Sequence, residues 1–318
     1  MDWIGVNWLQ FWELTVSGIT LGSVYALIAL GYSMVYGILK LLNFAHGDVY
    51  MVGAFIGYYA LQGLGGASKP FITGWFVVAA MFLAAMLGCG VLGVMIERFA
   101  YRPLRNAPRI APLISALGVS IFLQNTALLL FGPEFRDYEI FTLIGGSEGI
   151  LKTYRVGNVY FSITQLLTVL SSVGLMVGLT LLVARTPIGK AMRATSYDRE
   201  AASMMGINVD RVIATTFFIG SALAGAAGVM FGIVFGQIFH QMGFIAGLKG
   251  FTAAVVGGIG SIPGAMLGGL VIGLAESYSA GYLPQGSTFA TLYVFILLIA
   301  VILIRPSGLL GVADIKKV

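Results

Sequence analysis

Residues Val212–Leu248 read VIATTFFIGSALAGAAGVMFGIVFGQIFHQMGFIAGL, and none of these 37 positions is Asp, Glu, Lys or Arg. A helix needs about 20 apolar residues to cross a hydrocarbon core about 30 Å thick. A charged side chain at the centre of such a helix costs on the order of 2.5–3.5 kcal/mol on insertion scales. The length of this uncharged stretch therefore indicates that it lies in a membrane.

The same pattern recurs along the rest of the chain. Seven other uncharged runs contain between 20 and 29 residues each: Leu14–Leu39, Val49–Ser68, Pro70–Ile96, Ile110–Pro133, Val156–Ala184, Gly250–Ala275 and Ser277–Ile304. Eight runs of this length predict an all-α, polytopic membrane protein that forms one domain over residues 1–318.

The composition excludes the other broad classes. Of the 318 residues, 58% are hydrophobic and 10% are charged, whereas soluble domains carry about 25% charged residues. The high aromatic content is the opposite of a disordered composition. Cys89 is the only cysteine, which excludes an intrachain disulfide framework and a cysteine-based zinc site.

The basic residues predict the orientation, because cytoplasmic loops carry an excess of Lys and Arg. Residues 97–109 contain four arginines against one acid, and residues 185–211 contain five basic residues. Both loops should be cytoplasmic, and the more acidic loop 134–155 should lie outside. The N-terminus is then outside, and the C-terminus, with Arg305, should be cytoplasmic.

The glycine-rich stretch Gly257–Gly264, GGIGSIPG, predicts a break in the second-last run. Eight continuous spans would leave Arg305 outside, and proline and glycine both weaken a helix here. We expect a half-helix that enters from outside, a break within the membrane and a return through Ala265–Ser279. The chain would then have about eight transmembrane helices plus a broken half-helix. Non-helical backbone at that depth needs protein or water to satisfy it, which makes Gly258, Gly260 and Pro263 candidates for the pathway or for a bend.

Asn43, His46 and Asp48 are a second set of candidates, because polar groups at membrane depth are often functional. Alternatives remain open: Asn43 caps a helix, Lys40 and Asp48 mark the cytoplasmic rim, or His46, Gly47 and Asp48 hold a bend by hydrogen bonds. A metal site is not expected, because they supply too few ligands. Lys249 and Glu276, which flank the broken run, should reach water at its outer ends by snorkelling.

The cytoplasmic stretch 185–211 predicts a short surface helix. Asp198 should cap a helix over Arg199–Met205, and Gly206 should end it. Ala201 and Ala202 would give that helix a smooth face for close contact. From the residues alone, a solvated loop helix and a docking helix are both possible.

Three motifs in this order resemble the permeases of branched-chain amino-acid ABC importers, of the smaller LivH type. Glu200-Ala201-Ala202, followed after three residues by Gly206, resembles the EAA loop that docks into the ATP-binding subunit. YGILKLLNFAHGDVYMVGAF (36–55) and GFTAAVVGGIGSIPGAMLGGLVIGL (250–274) resemble two further signatures of the family.

The resemblance implies a subunit of the bacterial inner membrane that imports leucine, isoleucine or valine by alternating access. Its partners would be a second permease, two ATP-binding subunits and an extracytoplasmic substrate-binding protein, with coupling through Asp198, Glu200, Ala201, Ala202 and Gly206.

The chain has no phosphate-binding loop, so ATP would bind to the partners and no cofactor to this chain. We expect neither enzymatic activity nor nucleic-acid binding. The alternatives are an importer for urea, amides or other amino acids, and an ion-coupled secondary transporter.

Overall fold

The computed structural model describes residues 8–65, 71–105, 107–108, 110–138, 153–156 and 159–311. These residues form eleven α-helices: α1 (Trp8–Leu39), α2 (His46–Gly63), α3 (Phe71–Ile96), α4 (Ile110–Phe131), α5 (Ile163–Arg185), α6 (Pro187–Tyr197), α7 (Arg199–Met204), α8 (Val209–Phe235), α9 (Met242–Gly257), α10 (Ile262–Tyr282) and α11 (Gly286–Ile304). A π-helical turn, Glu97–Tyr101, and a 3-10 turn, Arg102–Leu104, follow α3. Two antiparallel pairs join β1 (Arg136–Asp137) to β4 (Gln237–Ile238) and β2 (Thr153–Val156) to β3 (Val159–Ser162).

The helix lengths confirm the predicted fold class. Six helices are long and apolar enough to cross a membrane, namely α1, α3 with the turns that follow it, α4, α5, α8 and α11. Among the described residues, α2 and α10 have 18 and 21 residues and pack between these six, whereas α9 has only 16. The bundle therefore contains eight long helices and one half-helix.

Glycines bring the central helices into backbone contact. Helices α1 and α10 run antiparallel, and a Cβ atom at Gly22 would lie 2.8 Å from the Cα atom of Leu270. A Cβ atom at Gly228 of α8 would lie 2.2 Å from the carbonyl oxygen of Tyr50 of α2. Small residues at such crossings let helix backbones approach closely in lipid. The middle of α1 is consequently buried on all sides.

The loops that the charge pattern assigns to the cytoplasm lie together at one end of the bundle, which we call the basic end. There, Arg199 donates to the carbonyl oxygen of Ile38 at 2.6 Å, and the Tyr101 hydroxyl donates to the carbonyl oxygen of Leu42 at 3.1 Å. Arg102 and Arg105 form ion pairs with Asp210 at the start of α8. The strand pair β1–β4 lies at the opposite end, where α8 finishes.

The predicted break is present. Helix α9 ends at Gly257 and α10 begins at Ile262, so Gly258–Ser261 form a turn between antiparallel helices. The return helix predicted over Ala265–Ser279 is slightly longer, Ile262–Tyr282, because the Ser261 hydroxyl caps its start by accepting from the amide of Gly264 at 3.2 Å.

The break lies at one end of the bundle, and its depth in a membrane stays a prediction. The turn lies at the basic end, beside the loop that follows α11. In that loop, the amides of Leu309 and Leu310 donate to the carbonyl oxygens of Val256 and Gly257 at 2.8 and 2.9 Å. The break therefore reverses the chain direction, and α11 then ends at the basic end, as the orientation of Arg305 requires.

Opposite accessibility of the two ends tests this arrangement in cells. We expect Glu134→Cys, next to β1, to react with an impermeant thiol reagent from outside, and Ser203→Cys on α7 to react only after permeabilisation. Both side chains are exposed, and a Cys89→Ala background removes the buried native thiol. Labelling of both positions from the same side would contradict the topology.

Candidate functional site

Helix α7 forms as its capping residues predict. Asp198 Oδ1 accepts from the amides of Glu200 and Ala201 at 2.9 and 3.0 Å. Gly206 has a φ of +82°, and the amide of Ile207 donates to the carbonyl oxygen of Ala202 at 3.1 Å. This is the Schellman arrangement that ends helices. The helix covers Arg199–Met204, one residue less than predicted.

The exposed face of α7 differs from the predicted one. Glu200, Ala201 and Gly206 are exposed. Ala202 is only 4% exposed, because its side chain faces the rest of the protein. The large apolar side chains on the outside are Met204 and Met205, 86% and 83% exposed. Methionine adapts to irregular apolar surfaces. Two adjacent methionines in an otherwise polar loop are visible in the sequence, but their exposure is not.

Arg199 anchors α7 to the end of α1. Its guanidinium Nε and Nη2 atoms donate to the carbonyl oxygen of Ile38 at 3.1 and 2.6 Å. Burial lowers the pKa of Arg199 from its ordinary value, and the positive charge of Arg105 adds to this effect. A positive charge at the C-terminal end of α1 is favourable for the helix dipole. The short helix is therefore tied to the central helix of the bundle.

Asn43, His46 and Asp48 lie in the interior, each at most 2% exposed. The Asn43 side-chain oxygen accepts from the Tyr101 hydroxyl at 3.1 Å, which ties the α1–α2 connection to the turn after α3. The His46 ring packs edge-on against Tyr32. Neither carboxylate oxygen of Asp48 has a hydrogen-bond partner in the described part of the chain. A bend held by side-chain hydrogen bonds of His46 and Asp48 is not seen among the described residues, and a pathway role stays a prediction.

A cavity of about 880 Å³ opens at the basic end between the end of α1, α6, the Gly258–Ser261 turn and the loop after α11. Gly260 and Pro263 line it, together with the basic side chains of Lys40 and Arg193. Gly258 is next to it and has a φ of +110°, and a Cβ atom there would lie 2.3 Å from the amide nitrogen of Gly311, so both the backbone and the space require glycine. The six predicted pathway residues thus separate into an interior group and a group at the cavity.

Lys249 and Glu276 do not reach the ends of the bundle, so that prediction is wrong. Lys249 Nζ lies 2.6 Å from Glu276 Oε1, and their side chains are 10% and 14% exposed. The Tyr25 hydroxyl donates to Glu276 Oε2 at 2.9 Å. Both residues end uncharged runs in the sequence, but α9 is a half-helix and Glu276 lies well inside α10. Buried carboxylates are therefore present, which the run boundaries did not indicate.

Metal binding has no support in the part of the chain that the structure describes. No group of three or more His, Cys, Asp or Glu side chains there could hold an ion.

Known proteins resemble this chain over nearly its full length. A family model described as "Branched-chain amino acid transport system / permease component" matches residues 14–304. The high-affinity branched-chain amino acid transport system permease protein LivH of Escherichia coli K12 is 46% identical over 98% of this chain and 99% of its own length. BraD of Pseudomonas aeruginosa, with the same description, is 45% identical over 97% and 98%. A probable LivH of Methanocaldococcus jannaschii is 29% identical over 93% and 90%.

The cap of α7 can be tested directly. Asp198→Ala removes the acceptor for two amides, and loss of such a cap costs about 1 kcal/mol. We expect hydrogen exchange of the segment 198–206 to become about fivefold faster. Asp198→Asn, which keeps a capping oxygen, is the matched control and should exchange as the wild type does. Unchanged exchange in the alanine variant would show that other contacts hold this helix.

Proposed function

Because this chain belongs to the family of branched-chain amino acid transport system permease components, we propose that it is the permease of an ATP-driven importer for leucine, isoleucine and valine. The observation that carries the proposal is the 46% identity to a permease of that description over 98% of the chain. A permease component is the membrane subunit of a transporter and not an enzyme.

The proposed assembly contains a second permease, two ATP-binding subunits and an extracytoplasmic substrate-binding protein. ATP would bind to the partner subunits, and this chain would need no cofactor. Met204 and Met205 support docking of α7 on an ATP-binding subunit, because exposed apolar groups at a polar surface are typical of interaction sites. Glu200, Ala201 and Gly206 lie exposed on the same helix and loop, so they can join that contact.

The proposed coupling route begins at α7 and continues through Arg199 into α1. A partner that moves α7 would displace the carbonyl end of α1 through the two hydrogen bonds to Ile38. The end of α1 also lines the cavity at the basic end. Movement of this helix would therefore alter the cavity, which is what alternating access requires of a coupling element.

We propose the bacterial inner membrane as the location, with the basic end in the cytoplasm. The N-terminus is then outside and the C-terminus inside. The excess of arginine and lysine in the loops of that end supports this orientation.

Ion coupling is a second candidate, because Asp48 and Glu276 are carboxyl groups inside the bundle. Intramembrane carboxylates are common in proton relays. The two candidates differ in their energy source. An ATP-driven importer loses uptake when its ATP-binding subunits are inactivated, and a proton-coupled carrier loses uptake when the proton gradient is collapsed at constant ATP.

Docking through the methionines predicts a specific loss. In cells that express the chain with its partner subunits, we expect Met204→Glu combined with Met205→Glu to reduce leucine uptake more than tenfold. The ATP-binding subunits should no longer co-purify, because two carboxylates would be buried in an apolar contact. The amount of permease in the membrane should stay unchanged, since both side chains are exposed in the chain itself.

Phe135→Glu is the matched control, because Phe135 is an exposed apolar residue at the opposite end of the bundle. It should leave co-purification of the ATP-binding subunits intact. Ala202 is a poor probe, since a larger side chain there would disturb the loop itself. Normal uptake and co-purification in the double glutamate variant would refute docking through this surface.

A further inference from the structure

The ion pair of Lys249 and Glu276 lies at about half the height of the bundle. Glu276 is 14 residues after the start of α10, about 21 Å along a helix of 21 residues that spans about 31 Å. Lys249 is eight residues before the end of α9, about 12 Å above the turn that joins the two helices. The long side chains close the remaining offset, so both charges meet far from either end.

A stabilising role is a weak explanation for a charged pair at this depth. The cost of removing two charges from water often exceeds their attraction, and apolar replacements of buried pairs are often neutral or stabilising. Ionisable residues within membrane segments usually serve the transported solute or a charge relay.

The two charged groups form an oriented site with unused bonding capacity. Glu276 accepts from Lys249 through Oε1 and from Tyr25 through Oε2, so its carboxylate is fixed in position. An ammonium group has three donors, and in the described residues one Lys249 donor bonds to Glu276. Both side chains remain partly accessible, at 10% and 14%. The pair is therefore mostly enclosed, with a small part of each side chain at the surface.

A free amino acid matches this site in charge. Its α-carboxylate can accept from Lys249 while its α-ammonium donates to Glu276, and charged hydrogen bonds of this kind are the strong ones. A neutral zwitterion adds no net charge to a neutral pair. A solute without the carboxylate would offer nothing to Lys249, and a solute without the ammonium would offer nothing to Glu276.

The surroundings of the pair suit an aliphatic side chain. Ile245 lies one helical turn before Lys249 on the same face of α9 and is 50% exposed. The neighbouring Phe244 is also exposed. By contrast, Asp48 and His46 are completely enclosed and do not present a pair of opposite charges.

We infer that Lys249 and Glu276, positioned by Tyr25, bind the α-carboxylate and α-ammonium groups of the transported amino acid on its way through the permease. The inference rests on the proposed function, and it adds that the charged pair binds the two groups common to all amino acids.

The test uses the complete importer, with partner subunits and binding protein, in proteoliposomes. Lys249→Met combined with Glu276→Leu removes both charges and should reduce amino-acid uptake at least tenfold, while the melting temperature and the co-purification of the ATP-binding subunits stay at wild-type values. Tyr25→Phe frees one oxygen of Glu276 and should raise KM several-fold with little change in kcat. Arg102→Met combined with Asp210→Leu, the same kind of change at a half-exposed ion pair, should leave uptake near the wild-type rate.

Wild-type uptake by the Lys249→Met and Glu276→Leu variant would overturn the inference and leave the pair as a structural contact. If that variant fails to assemble, the reversed pair Lys249→Glu with Glu276→Lys decides: a structural contact tolerates the reversal, whereas an oriented site loses uptake.

A panel of labelled leucine, glutamine, urea and acetamide separates this inference from the proposed function. Uptake of glutamine instead of leucine would refute the proposed substrate and support the zwitterion site. Uptake of urea or acetamide by the wild type would overturn the site, because these solutes lack both charges. Uptake of none of them would refute the proposed function, on which the inference rests.

Discussion

The backbone contact between α1 and α10 is the constraint on which the rest of the structure depends. A Cβ atom at Gly273 would lie 2.2 Å from the amide nitrogen of Gly22, so no side chain separates the two helices along this contact. The close approach buries the middle of α1 and places Tyr25 within hydrogen-bond distance of Glu276. It also fixes the direction of α10, and with it the hairpin that α10 forms with α9. Displacing this contact would therefore disturb both the ion pair and the cavity wall.

Features that depend on a few neighbouring residues could be predicted from the sequence. Asp198, Gly206 and the glycine–proline stretch act within one or two helical turns, and the structure places a cap, a helix end and a chain reversal at these positions. The number of long helices follows in the same way, because an uncharged run has to be long enough to cross the hydrocarbon core.

Features that depend on distant contacts could not be predicted. The uncharged run Val212–Leu248 hides two boundaries, the end of α8 at Phe235 and the start of α9 at Met242, because both lie among apolar residues. Without the start of α9, the depth of Lys249 is misjudged, and its partner Glu276 is 27 positions away. The burial of Ala202 is of the same kind, since an alanine on a short helix suits either face. The outward methionines of α7 became apparent only once the orientation of that helix was known.

The loop after α11 has a consequence for the order of biosynthesis. The carbonyl groups at the end of α9 accept from the amides of Leu309 and Leu310, which the ribosome adds more than 50 residues after Gly257. During translation, these donors do not yet exist when the end of α9 is made. Water or the insertion machinery would have to donate to its carbonyl groups until then. The hydrogen bonds that complete the α9–α10 hairpin therefore form only after α11 has entered the membrane. A nascent chain that stalls between α10 and α11 would therefore present two carbonyl groups at the end of α9 without their donors.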